Sequence, residues 1–373
     1  MSAEAPVIVA ARRTPIGTRG RGFASLRVEQ LAAPVIRAVL EDAATATGRT
    51  ICPADVLLGN CLGPGGNPGR VSALAAGLRA EVPGATIDRQ CGSGLAAIID
   101  AATAIRSGDQ RPRVAGGVES ASTAPLRSID GLAYPRAPFA PAGFPDPDMP
   151  QAAEDLAVLD GISRERQDAH AARSHARARA AAVERRFEPE LVPIGDVARD
   201  DSIGIAQRLL PRLRPLFDGG TVTAGTSTRI SDGAAAVVVA PAGWGPGLAL
   251  RGHAFVGCDP ALPGIGAAPA ILRALEYADL RRDQVAAFEI VEAFAAQSLA
   301  VLDRLGLAED DPRVCADGGA LALGHPWGAS GAVSVVRLFS RLIRAHAPTG
   351  TVGVAAASVG GGMGVAAVFE VVG

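Results

Sequence analysis

Cys91-Gly92-Ser93-Gly94 feeds an apolar helical stretch, and Gly328-Ala329-Ser330-Gly331 does the same near the other end of the chain. After each helix comes a strand that finishes in glycines: Val114-Ala115-Gly116-Gly117 in one case, Val359-Gly360-Gly361-Gly362 in the other. This echo reads as a weak internal repeat, two duplicated α/β halves with a different segment between them. Around both copies, short Val/Ile/Ala runs alternate with Ala-rich helical patterns, which indicates layered α/β architecture. Strands are expected at 6–10, 56–58, 114–117, 286–291 and 351–357, and helices at 28–42, 94–107, 163–186, 294–304 and 332–345.

The middle of the chain differs in character. Residues 120–150 carry Pro125, Pro135, Pro138, Pro141, Pro145, Pro147 and Pro150 and read as irregular. So long an irregular stretch is more often a functional or binding segment than a linker. The helix that follows is Arg/Ala-rich, with Ser163 suited to its N-cap, and reads as a solvated surface helix.

Composition narrows the function classes. The 373 residues are 48% apolar and 20% charged, a globular composition sufficient for two or three domain-sized units. A net charge of −2 argues against a broad basic surface for nucleic acid. All 36 basic residues are Arg, which excludes Schiff-base and P-loop lysine chemistry. The cysteines (Cys52, Cys61, Cys91, Cys258 and Cys315) form no C-x-x-C pair and no zinc spacing with His, so no metal site is expected. Their odd number, with an N-terminus that reads as a strand, leads us to expect reduced thiols in the cytoplasm. No apolar run has the length needed to span a membrane, and no membrane partner is expected.

Cys91 lies in Asp88-Arg89-Gln90-Cys91-Gly92-Ser93-Gly94-Leu95, at the start of a helix. Unpaired backbone N–H groups and the helix dipole there favour a thiolate. The glycines leave room for a ligand to approach the sulfur. A Cys nucleophile usually takes His as its base. Among the histidines, His170 and His175 fall on the polar helix, His346 at a helix end and His253 outside any motif. His325 alone lies in a glycine-rich turn, Gly318-Gly319-Ala320-Leu321-Ala322-Leu323-Gly324-His325-Pro326-Trp327-Gly328, and is the candidate partner.

In this order, the motifs resemble those of the thiolases, a family of acyl-CoA C-acyltransferases. The resemblance runs nearly end to end: 7–17, the Cys91 turn, 115–120, 161–168, 221–225, 231–235, the His325 turn and 360–364. It implies a five-layered α/β/α/β/α core built from two duplicated halves, 1–117 and 247–373, with a loop domain inserted at 118–246. It also implies a homodimer or homotetramer, a coenzyme A thioester as substrate and no tightly bound cofactor. By motif, Cys91 resembles the acyl-accepting nucleophile, and His325 the residue that activates it and donates to a first oxyanion hole. The backbone N–H groups of Cys91 and Gly360 match a second oxyanion hole. Met149, Phe217 and Thr228 fall in segments that line the family's CoA channel. Arg214 and Arg229 are candidates for the CoA phosphates on charge alone, because a guanidinium offers a bidentate fork.

Two departures touch the chemistry. The family's Asn-Glu-Ala-Phe reads Val291-Glu292-Ala293-Phe294, so the Asn that holds an oxyanion-stabilising water is Val291. The family's second cysteine, which moves the α-proton in C–C bond formation, is Ser358. Losing one oxyanion donor costs roughly 10²–10³ in rate. A thiol ionises near pH ~8.5, and a serine hydroxyl is a far weaker acid. Acyl transfer to Cys91 therefore looks intact and the C–C step compromised, with Cys315 as a substitute base to consider. Three readings follow: a thiolase making or cleaving 3-oxoacyl-CoA; a relative that passes the acyl group to a decarboxylative donor or an O, N or water nucleophile; and a non-catalytic acyl-CoA-binding protein.

Overall fold

The computed structural model describes residues 5–134, 136–204 and 207–373; Pro135 of the proline-rich stretch lies outside them. The first half contributes β1 (Val7–Arg13), β2 (Gly17–Thr18), α1 (Val28–Thr47), β3 (Val56–Gly59), α2 (Pro68–Ala75), β4 (Gly84–Ile87), α3 (Ser93–Arg106) and β5 (Arg113–Ser120). The inserted segment holds a small hairpin, β6 (Arg127–Ile129) with β7 (Leu132–Tyr134), then α4 (Met149–Leu159) and α5 (Arg164–Val183). The chain returns to the sheet with β8 (Ser231–Ala240) and β9 (Gly247–Gly257). It continues through α6 (Ala267–Tyr277), β10 (Val285–Ile290), α7 (Ala295–Leu305), α8 (Ala320–Leu323), α9 (Trp327–Phe339), β11 (Val352–Val359) and β12 (Met363–Val372). Among the described residues, no helix is long and apolar enough to cross a membrane.

The strands run in the order β10-β11-β12-β9-β1-β8-β5-β3-β4. Two sub-sheets of matching design meet at β1 and β9, through Val7 opposite Ala249 and Ile8 opposite Leu248. In one, β3 and β5 are parallel and β8 and β1 follow antiparallel; in the other, β10, β11, β12 and β9 repeat that pattern. Both faces of each sub-sheet are covered, so the strands are mostly apolar and do not alternate regularly with exposed polar residues. Val7, Val9, Val114 and Val238 pack on α1 and α2. Val354, Ala356, Ala366 and Val368 pack on α6 and α7. The opposite faces of both sub-sheets close on α3 and α9, which share one central core. The result is the five-layered α/β/α/β/α arrangement.

α3 and α9 meet almost without side chains. A methyl added at Gly94 would lie 2.8 Å from the Gly328 carbonyl oxygen, and one at Gly331 would lie 2.8 Å from the Leu95 nitrogen. This crossing brings the first turns of the two helices side by side.

The segment that leaves the sheet runs from 121 to 230, and β8, inside the expected 118–246 span, pairs with both β1 and β5. α5 is not the solvated helix expected from its composition. Its small residues Ala171, Ala178 and Ala181 are buried, together with His170, Ser174 and His175. Its arginines reach across to the second half: Arg166 to Glu309 at 2.7 Å and Arg177 to the Val314 carbonyl at 2.6 Å. A stripe of alanines carries little hydropathy signal but lets the helix backbone come close, which is why composition misreads it. A buried ionic network adds a second anchor. Arg13 pairs with Glu190 at 2.7 Å and with Asp200 at 2.7 Å, and Arg337 pairs with Glu190 and Asp317.

Gly331→Ala is expected to lower stability by about 1–3 kcal/mol through overpacking at the helix crossing, read as the midpoint of urea unfolding. Gly257→Ala, where an added methyl meets nothing within 4 Å, should leave the midpoint unchanged.

Candidate active site

The Cys91 turn is built by its neighbours. Gln90 adopts a left-handed conformation at φ 46°, which turns the chain sharply before the helix. Ser93 Oγ accepts the Arg89 N–H at 2.8 Å and donates to the Gln90 carbonyl at 2.6 Å. Gly92 has no room for a side chain, since an added methyl would lie 2.8 Å from Val365 and 2.9 Å from Val359. The turn therefore rests directly on β11 and β12, and the N–H groups of Cys91 and Gly360 both face the sulfur.

His325 enters from the other half. Its backbone N–H donates to the Arg229 carbonyl at 2.9 Å. Ser231 Oγ donates to that same carbonyl at 2.8 Å. The ring stands between two groups: Nε2 lies 3.3 Å from Cys91 Sγ, and Nδ1 lies 2.6 Å from Ser330 Oγ. With Ser330 on Nδ1, the ring's orientation is fixed and Nε2 is left to the thiol.

Burial sets the protonation states. It pushes the Cys91 thiol up to about 12, against the opposing pull of the Cys91 and Gly360 N–H groups and with a further rise from Glu119. Burial likewise lowers His325 to about 4. The expectation of a resting thiolate, drawn from the helix N-terminus, is thus reversed: desolvation outweighs the dipole. At neutral pH the raised thiol and the lowered imidazole are both neutral and share one hydrogen bond.

Val291 is buried in the central core and offers no polar handle. The Ser358 hydroxyl donates to the Gly264 carbonyl at 2.6 Å and accepts the Ala267 N–H at 3.0 Å. It secures the start of α6, and among the described residues no imidazole or carboxylate bonds to it. Cys315 is no substitute base: its thiol donates to the Ile290 carbonyl at 3.4 Å, and burial raises it well above the usual thiol range.

Of the remaining candidates, Thr228 and Arg229 lie on the segment bonded to the His325 turn, and the others lie elsewhere in the inserted segment. Thr228 Oγ1 donates to the Ala320 carbonyl at 2.6 Å, and its N–H donates to the Ala293 carbonyl at 2.9 Å. The segment 227–230 thus spans the gap from Phe294 to His325. Arg229 is half-buried beside His175, whose ring burial and then Arg229 hold down at about 4. Met149 opens α4 and is half-buried, Phe217 is half-buried, and Arg214 is exposed on the surface.

Three supporting residues were missed from sequence. Ser330 occupies the repeat position equivalent to Ser93, and that equivalence was the signal available. Ser231 and Glu119 lie in the resembling segments 231–235 and 115–120, but nothing local to them marks a role beside Cys91 or His325. Glu119 accepts N–H bonds from Cys61 at 3.1 Å, Leu62 at 3.1 Å and Gly328 at 3.0 Å, and so ties the first half to the start of α9.

The neutral pair has a measurable signature. Peptide-resolved alkylation of Cys91 by iodoacetamide should keep rising with pH beyond about 9, because the thiol titrates near 12. A plateau reached below about pH 8 would instead reveal a resting thiolate–imidazolium pair.

Comparison with known proteins identifies the family. Residues 6–243 match the family model described as thiolase, N-terminal domain, and residues 246–371 match thiolase, C-terminal domain. The chain is 41% identical to YhfS of Bacillus subtilis (strain 168), covering 98% of this chain and 99% of that protein. It is 39% identical to the 3-ketoacyl-CoA thiolase of Salmonella typhimurium, covering 98% of this chain and 99% of that protein. A crystal structure of the Bacillus anthracis acetyl-CoA acetyltransferase superposes with a TM-score of 0.90 at 34% identity, covering 100% of both chains. Two matched domain models, full-length relatives and a shared fold have one meaning: the chain belongs to the thiolase family.

Proposed function

We propose that this protein is an acyl-CoA acyltransferase that works through a thioester on Cys91. The observation that carries the reading is His325 Nε2 at 3.3 Å from Cys91 Sγ, beside the N–H groups of Cys91 and Gly360. As Sγ attacks the acyl carbonyl, His325 takes the thiol proton and the two N–H groups receive the developing oxyanion. The C–S bond to coenzyme A then breaks, and His325 returns the proton to the departing thiolate. A second acceptor, or coenzyme A itself, completes a ping-pong cycle that makes or cleaves 3-oxoacyl-CoA. The names of the Salmonella and Bacillus anthracis relatives support this choice of chemistry.

A second reading is favoured by Ser358 and Val291. A hydroxyl held by Gly264 and Ala267 is a poor proton carrier, and Val291 cannot hold a water. An acceptor that needs no α-proton removal, such as a decarboxylating donor or an oxygen, nitrogen or water nucleophile, avoids both changes. Under either reading, Met149, Phe217, Thr228, Arg229 and Arg214 line the approach for the CoA moiety. The halves 1–117 and 247–373 flank the inserted domain 118–246. Among the described residues the edge strand β4 pairs on one side only and its residues are half-buried, which fits a homodimer or homotetramer. We place the protein in the cytoplasm, with no tightly bound cofactor.

Intact mass after incubation with acetyl-CoA tests the first half-reaction. An acyl adduct is expected on the wild type and not on Cys91→Ala. No adduct with acetyl-CoA or longer acyl-CoAs would leave only a binding role. Ser330→Ala, which leaves a buried imidazole N–H unpaired, should slow adduct formation roughly tenfold or more. Coenzyme A-dependent cleavage of acetoacetyl-CoA and longer 3-oxoacyl-CoAs separates the two readings. If no chain length is cleaved, the acceptor lies elsewhere, and Val291→Asn with Ser358→Cys should then restore cleavage.

A further inference from the structure

The proline-rich stretch expected to be functional contains one aromatic ring that reaches the nucleophile's surroundings. A methyl added at Gly360 would lie 2.7 Å from Phe139 Cε2 and 2.9 Å from its Cδ2. One added at Gly361 would lie 3.0 Å from the Phe139 carbonyl oxygen. Phe139 thus packs edge-on against the backbone whose N–H faces Cys91 Sγ. The ring is held there by its own loop. Its N–H donates to the Asp146 carboxylate at 3.3 Å, and the Arg136 guanidinium lies 4.7 Å from the ring centre. Arg136 in turn pairs with Asp146 at 2.8 Å and Asp148 at 3.2 Å.

Resting on the acyl-enzyme reading above, we infer that Phe139 is a specificity-determining residue that limits the size of the acyl group carried by Cys91. A thioester whose carbonyl oxygen faces the Gly360 N–H has its carbonyl carbon next to Gly360. The first carbons of the acyl chain then lie beside that glycine, where the Phe139 ring already fills the space. A short acyl group fits under the ring, and a longer or branched one meets its edge. Arg136 acts through Phe139 as a positioning residue, because its pairing with Asp146 and Asp148 closes the loop that holds the ring down. The glycine at 360 is part of the same device: any side chain there would displace the ring.

The test follows acylation of Cys91 by intact mass with acetyl-CoA and octanoyl-CoA, for wild type, Phe139→Ala, Phe139→Leu and Arg136→Gln. Phe139→Ala should raise the octanoyl-to-acetyl rate ratio by about tenfold or more, the scale on which pocket shape discriminates chain length. Phe139→Leu should fall between, and Arg136→Gln should shift the ratio in the same direction by less. A purely structural role would slow both donors equally and leave the ratio unmoved. If the wild type forms adducts and the ratio in Phe139→Leu and Phe139→Ala stays within about twofold, the inference is overturned and the acyl-enzyme stands. If the wild type forms no adduct with either donor or any other acyl-CoA, the acyl-enzyme reading itself fails and this inference falls with it.

Discussion

The first turns of α3 and α9 touch backbone to backbone, and the placement of Cys91 and His325 follows from that contact. Gly94 and Gly331 provide the approach, and Gly59 and Gly117 each lie against the Gly328 carbonyl from the strand side. Each helix begins just after one member of the pair. A wider separation of the helices would carry the thiol away from the imidazole. The two sub-sheets, which close on these helices from either side, hold the crossing under a continuous apolar core. Duplication supplies two helices of one design, and the divergence of their preceding turns supplies a thiol on one and an imidazole on the other.

That same burial decides how the pair works. A cysteine before a helix is ordinarily drawn toward the thiolate. Here the turn that carries the sulfur rests on Val359 and Val365 through Gly92, and loss of water around the thiol costs the charged form more than two N–H groups return. The imidazole follows the same rule with the opposite sign, since for a base burial penalises the protonated form. The outcome is a resting pair of neutral groups beside the N–H groups of Cys91 and Gly360.

Much of this was legible in the chain. The echo of Cys91-Gly92-Ser93-Gly94 in Gly328-Ala329-Ser330-Gly331 gave the duplicated halves, and the glycine-rich setting of His325 separated it from four other histidines. What stayed hidden depends on tertiary partners. β4 is four residues long and its sequence does not distinguish it from a turn. β8 is a run of Ala and Val that reads equally well as a buried helix. α5 lacks an apolar stripe and buries polar groups, and those become acceptable only once Glu292 meets His170 at 3.0 Å and Ser174 at 2.7 Å. Phe139 lies 48 residues from Cys91 in sequence, and no local pattern marks it as a neighbour of Gly360.

On the acyl-enzyme reading, the two departures from the family pattern bear on the C–C step and not on acyl transfer to Cys91. Ser358 is not an idle replacement, since its hydroxyl bonds the Gly264 carbonyl and the Ala267 N–H and so supports the start of α6. Taking a proton from substrate would require it to give up that anchor and to ionise as a half-buried hydroxyl. Under the acyl-enzyme reading, the mobile proton therefore has one carrier, His325, which holds it after the thiol attacks. An imidazolium in a site that disfavours charge is a strong acid, able to protonate a departing carbanion. The neutral ring that remains is correspondingly a weak base for removing an α-proton. Both directions pass through the same transition state, so the loss slows cleavage and condensation equally and leaves thioester exchange on Cys91 unaffected. On that reading, the half-reaction left complete is the one assigned to Cys91, His325 and the Gly360 N–H together.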